Sequence, residues 1–459
     1  MDGGVEFDER LIQHYDAARS RYTFYPTPRH FHPLFNGTTF RRALLTSNNN
    51  APTRSLSLLI YIPFYKAPDD RASGHRTDPS QTPHYFACLK REVELLGQLL
   101  RPDRRVAELT VVGGTPSALA SAQLDPFFPC IHRVFSLPPE ADREWAVDLD
   151  SSDRCARVFS DLVNLGFNRV RLRPRNFQPQ KPSLGSRRVN SDIRTAVVAA
   201  RRAGLGSVGV EIFSTSLMQQ SKYVSVALDQ VIEARPDRVF LFRPPQKFHC
   251  ASGTDYYRDL EFVGSKNNFA VFKRFAEQLR DAGYVYVGPD VFALPCDALV
   301  QALQTGQLYQ NCYGYTAHGH CDLIGLGLGA ISRIGTSLSQ NTRDPHVYEN
   351  QLNSGALPVE CGIELTRVDL LREDIISDIM CQGWVDYASI QARHGIEFED
   401  YFQEELVNLR AMETDGLLKM SADHFEITAR GKPLLPVIAE VFDTEASSQN
   451  RKRPHFHAV

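Results

Sequence analysis

Short apolar runs of the kind that form β-strands recur along the first two thirds of the chain. The segments between them carry apolar residues three and four positions apart, as Phe86, Leu89 and Val93 do, which predicts amphipathic helices. Beyond the first run, most strand starts are roughly 25–40 residues apart, a spacing typical of βα units with right-handed crossovers. The pattern predicts an α/β fold, a partial (β/α)6-type barrel with its ligand site at the C-terminal strand ends. The runs lie at 57–64, 109–114, 145–150, 168–174, 207–213 and 238–243, with a candidate seventh at 285–292.

The pattern changes after the seventh run. A glycine-rich stretch at 314–335 leads into a helical part, where Thr366 is placed to cap a helix over Asp369–Met380. A second helix is predicted over about 399–414, and 417–428 reads as a β-hairpin. Helices followed by a hairpin predict a mostly helical, winged-helix-like domain. The predicted parts are an N-terminal extension packing on the barrel (1–55), the barrel (56–295), the C-terminal domain (296–445) and a disordered tail (446–459).

Charge and hydropathy restrict the partners and the location of the protein. The 459 residues include 51 lysines and arginines and 54 aspartates and glutamates. This balance argues against nucleic acid or an anionic membrane as a partner. No run approaches the roughly 20 apolar residues of a membrane span, and the acidic start MDGGVEFDER lacks the apolar core of a signal peptide. We therefore expect a cytoplasmic protein, acting as a monomer.

Several short motifs follow one another in a consistent order. They are RYTFYPTPRHF (21–31), LLIYIPF (58–64), GGTP (113–116), GFNRV (166–170), GYTAHGHCDLIGLG (314–327) and YFQEEL with DGLL (401–418). With these motifs the chain resembles the oxygen-independent coproporphyrinogen III oxidases, which are radical S-adenosylmethionine (SAM) enzymes of haem and porphyrin biosynthesis. The resemblance runs from about residue 10 to about residue 445. It implies a partial TIM-type barrel of the radical SAM kind and, in active members, two oxidative decarboxylations of porphyrinogen propionates.

The chemistry of that family needs a 4Fe–4S cluster. Three cysteines spaced CxxxCxxC hold it, because soft thiolates suit iron–sulfur clusters. By the resemblance, the three positions are Tyr65, Asp69 and Ala72 in this chain, and the family's additional nearby cysteine falls at Gly74. None of the nine cysteines lies at cluster spacing from another. We therefore expect no cofactor, neither the cluster nor SAM, and a mobile 65–80 loop.

The resemblance also implies a degenerate SAM pocket at the strand ends. The turn at 113–116 corresponds to glycines that let the backbone approach SAM, although a tight strand-to-helix turn explains the same residues. Arg175 replaces a glutamine that contacts SAM, and its positive charge disfavours a sulfonium cation. The positions assigned to the degenerate pocket are Gly113, Gly114, Thr115, Asp148, Arg175 and Glu211.

Side-chain alternation places Arg171, Arg173 and Arg175 on one face of the fourth strand. The carboxylates expected to face them on adjacent strands are Asp148, Asp150 and Glu211. Three readings are open: an ion-pair network that fills the space of a lost cofactor, an anion site for a phosphate, carboxylate or porphyrin propionate, and an exposed arginine face. Pairing within the network favours the first reading, and an unpaired arginine favours the second.

A separate set of metal-binding residue types lies in CYGYTAHGHC. Cysteine and histidine are zinc ligands, but no CxxC or HxxxH spacing occurs here, which argues against a zinc site. The residues concerned are Cys312, His318, His320 and Cys321.

Three functions are compatible with the sequence. The first is a catalytically degenerate family member that acts as a binding or regulatory protein for a tetrapyrrole or another anionic small molecule, or for a partner in tetrapyrrole metabolism. The second is an active oxygen-independent coproporphyrinogen III oxidase, yielding protoporphyrinogen IX, whose cluster is assembled from other residues. The third is a repurposed barrel enzyme using acid–base chemistry from Asp148, Asp150 or Glu211. We expect the first.

Overall fold

The structure is a computed structural model that describes residues 4–15, 24–49, 52–63, 82–113, 121–139, 142–150, 156–173, 192–213, 221–242 and 265–443. In chain order, its strands are β1 (Leu56–Ile62), β2 (Val106–Gly113), β3 (Glu144–Asp150), β4 (Arg169–Arg173), β5 (Ser207–Phe213), β6 (Arg238–Phe242), β7 (Val285–Gly288), β8 (Val291–Ala293), β9 (Tyr309–Asn311), β10 (Gly314–Thr316), β11 (Asp322–Leu326), β12 (Ile331–Ile334), β13 (Ser337–Asn341), β14 (Val359–Glu364), β15 (Trp384–Asp386), β16 (Leu418–Met420) and β17 (His424–Ile427). Its helices are α1 (Glu9–His14), α2 (Gly37–Asn48), α3 (Thr82–Gly97), α4 (Ser121–Val134), α5 (Ala156–Asn164), α6 (Asp192–Arg202), α7 (Ser221–Ala234), α8 (Ser265–Asp281), α9 (Ala298–Gln304), α10 (Pro345–Asn353), α11 (Arg367–Gln382), α12 (Tyr387–His394), α13 (Phe398–Tyr401), α14 (Gln403–Thr414) and α15 (Leu435–Glu440).

The chain divides into two compact units. The first draws on residues 1–27, 263–319 and 365–459, and the second draws on residues 28–262 and 320–364. Across the described ranges, no helix combines the length and the apolar character that crossing a membrane requires.

The second unit contains the barrel sheet. Strands β1 to β6 are parallel neighbours in the order in which they occur along the chain. Helices α3 to α7 fall between them, one in each connection, as expected for βα units. The α/β class and the partial barrel that the periodicity predicted are confirmed.

The sheet of this unit continues on the other side of β1. Strand β11 pairs with β1 in parallel, and β12, β13 and β14 follow as antiparallel neighbours. This differs from the predicted boundary at residue 295, because β11–β14 belong to the same unit as the barrel strands. The predicted N-terminal extension is also divided, with α1 in the first unit and α2 in the second. Pairing between β1 and β11 joins segments that are far apart along the chain, so local patterns do not reveal it.

The two faces of the barrel strands differ in chemistry. On β4, Val170 and Leu172 are each 2% exposed, whereas the arginines that alternate with them are half-buried. Trp145, Val147 and Leu149 on β3 are at most 1% exposed. One face is therefore a continuous apolar core, and the other carries charged side chains into the barrel.

The first unit contains the C-terminal helices. Thr366 caps α11 and forms a capping box with Asp369, and the helix ends at Gly383 with φ 71°, so the predicted helix is confirmed and is longer at both ends. The predicted helix over 399–414 is two helices, α13 and α14, because Phe402 leaves helical geometry at φ −108°, ψ 33°. Its ring is fully buried against the ring of Phe442, 5.4 Å away.

A three-stranded sheet completes the winged-helix-like part. The predicted hairpin is β16 paired with β17, and β15 adds a third strand beside β17. The candidate seventh strand at 285–292 is an antiparallel hairpin, β7 with β8, rather than another parallel strand. Proline at 289 cannot donate a backbone hydrogen bond, and Asp290 turns the chain with φ 67°.

Candidate functional site

Four charged side chains meet where β3, β4 and β5 approach their C-terminal ends. Asp148 is opposite Arg171 in the strand register, and Glu211 follows Val210, which is opposite Leu172. The residues Asp148 and Glu211 are 3% and 1% exposed. We call Asp148, Arg171, Arg173 and Glu211 the charged cluster. A parallel barrel places its ligands at this end of the strands.

Arg171 pairs with Asp148 through two hydrogen bonds. Its Nε donates to Oδ1 at 2.7 Å and its Nη2 donates to Oδ2 at 3.2 Å. Its guanidinium also lies over the ring of Phe240, 4.9 Å from the ring centre. Two parallel hydrogen bonds and a ring contact fix the orientation of this guanidinium.

Arg173 joins three different strands. Its Nε donates to Glu211 Oε2 at 3.2 Å, and its Nη1 donates to the backbone oxygen of Gly113 at 3.1 Å. Its Nη2 donates to Asp148 Oδ2. A single guanidinium thus occupies acceptors on β2, β3 and β5.

The charges of the cluster balance within it. Two guanidinium groups face two carboxylates, and each guanidinium makes at least one contact to each carboxylate. Pairing inside the cluster favours the ion-pair reading over an anion site at Arg171 and Arg173. Glu211 Oε1, however, is buried and has no hydrogen-bond partner among the residues that the structure describes.

A second group of charges lies near the start of β3, β4 and β6. Glu144 pairs with Arg169 at 3.2 Å and with Arg238 at 3.4 Å. Sequence reasoning missed Glu144 and Arg238. The signal was present, because Glu144 lies an even number of positions from Asp148 and so shares its face of the strand.

Gly113 is a close-contact position between β1 and β2. Its φ is 105°, and a Cβ added there would lie 2.3 Å from the backbone oxygen of Ile62. Glycine is therefore required by the approach of the two strands, whatever binds nearby. This supports the turn reading of the glycine-rich segment.

The other predicted positions lie outside the described residues. They are Gly114, Thr115 and Arg175 of the predicted SAM pocket, the side chain of Asp150, and the positions that correspond to the iron–sulfur ligands, Tyr65, Asp69 and Ala72. The order of the 65–80 loop and of the 446–459 tail lies outside them as well.

The expectation that Cys312, His318, His320 and Cys321 do not form a zinc site stays a prediction. The boundary between the two units passes between residues 319 and 320, and therefore through the candidate set.

Comparisons with known proteins give a consistent result. Residues 365–434 match the family model of the HemN C-terminal domain. The oxygen-independent coproporphyrinogen III oxidase of Pseudomonas aeruginosa is 32% identical to this chain over 456 residues, which covers 98% of each protein. The enzyme of the same name from Escherichia coli is 29% identical over 449 residues, which covers 96% of each.

A solved structure is similar over nearly the full length. It is the coproporphyrinogen III oxidase (HemN) from Escherichia coli, a radical SAM enzyme. The TM-score is 0.83 at 27% identity, covering 96% of this chain and all of that one. The likeness therefore includes both the barrel strands and the C-terminal helices described above.

Proposed function

Since this chain belongs to the family of oxygen-independent coproporphyrinogen III oxidases, we propose that it is a member without radical chemistry, acting as a binding or regulatory protein. The observation that carries the proposal is in the sequence. No CxxxCxxC occurs among the nine cysteines, and Tyr65, Asp69 and Ala72 stand at the positions that correspond to the cluster ligands.

The chemical argument concerns the donor atoms. A phenol and a carboxylate are hard oxygen ligands, and a methyl group donates nothing, whereas an iron–sulfur cluster is held by thiolates. Without the cluster there is no source of the electron that cleaves SAM. We therefore propose that the protein carries neither cofactor.

The charged cluster supports the proposal independently of the cysteines. Arginine already occupies both carboxylate oxygens of Asp148, Oε2 of Glu211 and the backbone oxygen of Gly113 at the strand ends. A sulfonium cation placed there would have to displace a guanidinium group from these acceptors. These residues do not fit SAM, and we derive no reaction step through it.

We propose a tetrapyrrole or another anionic small molecule as the ligand class, because the relatives are named for coproporphyrinogen III. Arg171 and Arg173 are already paired with carboxylates. We therefore expect other residues to bind the anionic ligand. A cytoplasmic monomer without nucleic-acid or membrane partners is part of the same proposal.

An active oxidase is the second candidate. It is favoured by the match to the Pseudomonas enzyme, which covers 98% of both proteins. In that case residues other than Tyr65, Asp69 and Ala72 would have to hold the iron–sulfur cluster.

Anaerobic reconstitution with iron and sulfide decides between the two. We expect far fewer than the roughly four irons of a full cluster per chain and no SAM cleavage under reduction. The Pseudomonas relative, treated in parallel, serves as the positive control. Uptake of a full cluster together with SAM cleavage would refute the proposal and favour the active oxidase. Spectra of the protein isolated without oxygen test for a co-purifying tetrapyrrole in the same sample.

A further inference from the structure

We propose that Arg171 and Arg173 act as built-in ligands of the barrel, whose guanidinium groups occupy the acceptors at the strand ends and exclude cationic small molecules. The inference deepens the proposed function and rests on it for the identity of the excluded cofactor, SAM. It also predicts a new site: when Arg173 is removed, its place becomes a binding site for a free guanidinium ion.

The convergence of acceptors on Arg173 is the first argument. Oxygen atoms of Gly113, Asp148 and Glu211 come from three separate strands and all accept from this one guanidinium. Strand backbones fix these positions, so the acceptors remain in place when the side chain is shortened. A cavity with preorganised acceptors binds a cation that matches its geometry.

The charge balance is the second argument. The two carboxylates are almost completely buried, and each needs a positive partner, because an unpaired buried charge is strongly unfavourable. With both arginines present the cluster is neutral, so an added cation has to displace one of them. A tethered guanidinium has a high effective concentration, which a free ligand at cellular levels does not match.

The unpartnered Glu211 Oε1 is the third argument. This oxygen is buried and accepts no hydrogen bond within the described residues. Purely structural ion pairs satisfy their buried oxygens, and exceptions call for an explanation. In Glu211 one carboxylate oxygen accepts from arginine and the other accepts nothing within the described residues. This is expected if the carboxylate belongs to a ligand-binding site that the arginine side chains now fill.

The test uses the full chain with Arg173→Ala. We expect a lower melting temperature than that of the wild type, and partial recovery on adding guanidinium chloride at low-millimolar concentration. Potassium chloride at equal ionic strength should give no recovery. Arg157→Ala is the matched control, since Arg157 is 85% exposed and lies 3.9 Å from Asp161 on the same helix. Guanidinium should not raise its melting temperature.

Arg171→Ala provides a second variant if Arg173→Ala does not fold. It leaves the three-strand contacts of Arg173 in place and opens the space over the ring of Phe240, where guanidinium should again stabilise. Equal melting shifts with guanidinium and potassium in the folded variants would overturn the inference.

A third measurement uses the wild-type protein alone. Equilibrium dialysis with labelled SAM should show no saturable binding, and saturable binding at micromolar concentration would overturn the inference. These outcomes are separable from those of iron reconstitution. If the protein takes up an iron–sulfur cluster and guanidinium still stabilises the Arg173→Ala variant, the proposed function is refuted. The proposal that the arginines act as built-in ligands is then still supported.

Discussion

Glu92 shows what a single buried carboxyl does in this fold. It lies on α3, is 2% exposed, and accepts hydrogen bonds from the Tyr348 hydroxyl at 2.5 Å, the Asn341 amide at 2.7 Å and the Gly327 backbone at 2.9 Å. Burial raises the pKa of Glu92 from 4.5 to about 7, although the three donors act in the opposite direction. The side chain ties α3 to the residue after β11, to the end of β13 and to α10, at the cost of a buried negative charge near neutral pH.

Stability should therefore depend on pH through Glu92. A carboxyl whose pKa is higher in the folded chain binds its proton more tightly there, so the free energy of unfolding falls as pH rises from about 4.5 to about 7. Over this pH range the ionisation of Glu92 lowers the free energy of unfolding by about 3 kcal/mol. Urea unfolding at pH 5 and pH 8 should show a smaller difference for Glu92→Gln than for the wild type. Identical differences for the two proteins would show that Glu92 does not titrate in this range.

At the scale of elements, helix ends depend on single side chains. Thr366 accepts from the Asp369 backbone at 3.2 Å, and the Asp369 carboxylate accepts from the Thr366 backbone at 2.9 Å. Both contacts lie at the start of α11, whose Ile375 and Ile379 are fully buried. This cap was predictable, because it depends on residues three positions apart.

Removing the cap should destabilise the first unit. Thr366→Ala is expected to lower the free energy of unfolding by about 1 kcal/mol. Thr38→Ala is the control, since Thr38 is an exposed residue in α2 whose side chain caps no helix, and its effect should stay within about 0.5 kcal/mol. Denaturant unfolding of both variants measures the difference, and equal effects would contradict a capping role.

Other features of the elements were not predictable from local sequence. The arginines of β4 were placed on one face by alternation and Asp148 and Glu211 were expected to face them, but which carboxylate oxygen each guanidinium binds depends on the register between strands. Alternation alone places Glu144 on the face of Asp148, but its pairing with Arg169 and Arg238 was missed because each pair joins two different strands. The break at Phe402 was missed because it depends on packing against Phe442, which lies far along the chain.

At the scale of the whole chain, the fold and the catalytic chemistry of the family depend on different features of the sequence. Barrel strands, connecting helices and C-terminal helices follow from apolar periodicity, which many sequences satisfy. Radical chemistry depends on three thiols and an open pocket, which a few substitutions abolish. The family could therefore be identified from sequence, while the ligand could not, because departures from a motif tell what a site lacks and not what it binds.

Restoring the thiols alone should not restore the chemistry. The triple variant Tyr65→Cys, Asp69→Cys and Ala72→Cys is expected to take up iron and sulfide anaerobically, since it re-creates CxxxCxxC. We expect no SAM cleavage, because Arg171 and Arg173 still occupy the strand-end acceptors. Iron content and SAM turnover are measured on one preparation. Turnover by the triple variant would mean that the arginines do not close the pocket.

The close approach at Gly113 bears on how such proteins are recognised. Any side chain there would collide with the neighbouring strand, so selection for folding alone preserves this glycine after a cofactor has gone. Genome surveys that treat a glycine-rich turn as a marker of nucleotide-like cofactors will therefore count family members without the cofactor together with active enzymes. Thiol spacing, which folding does not protect, is the better discriminator.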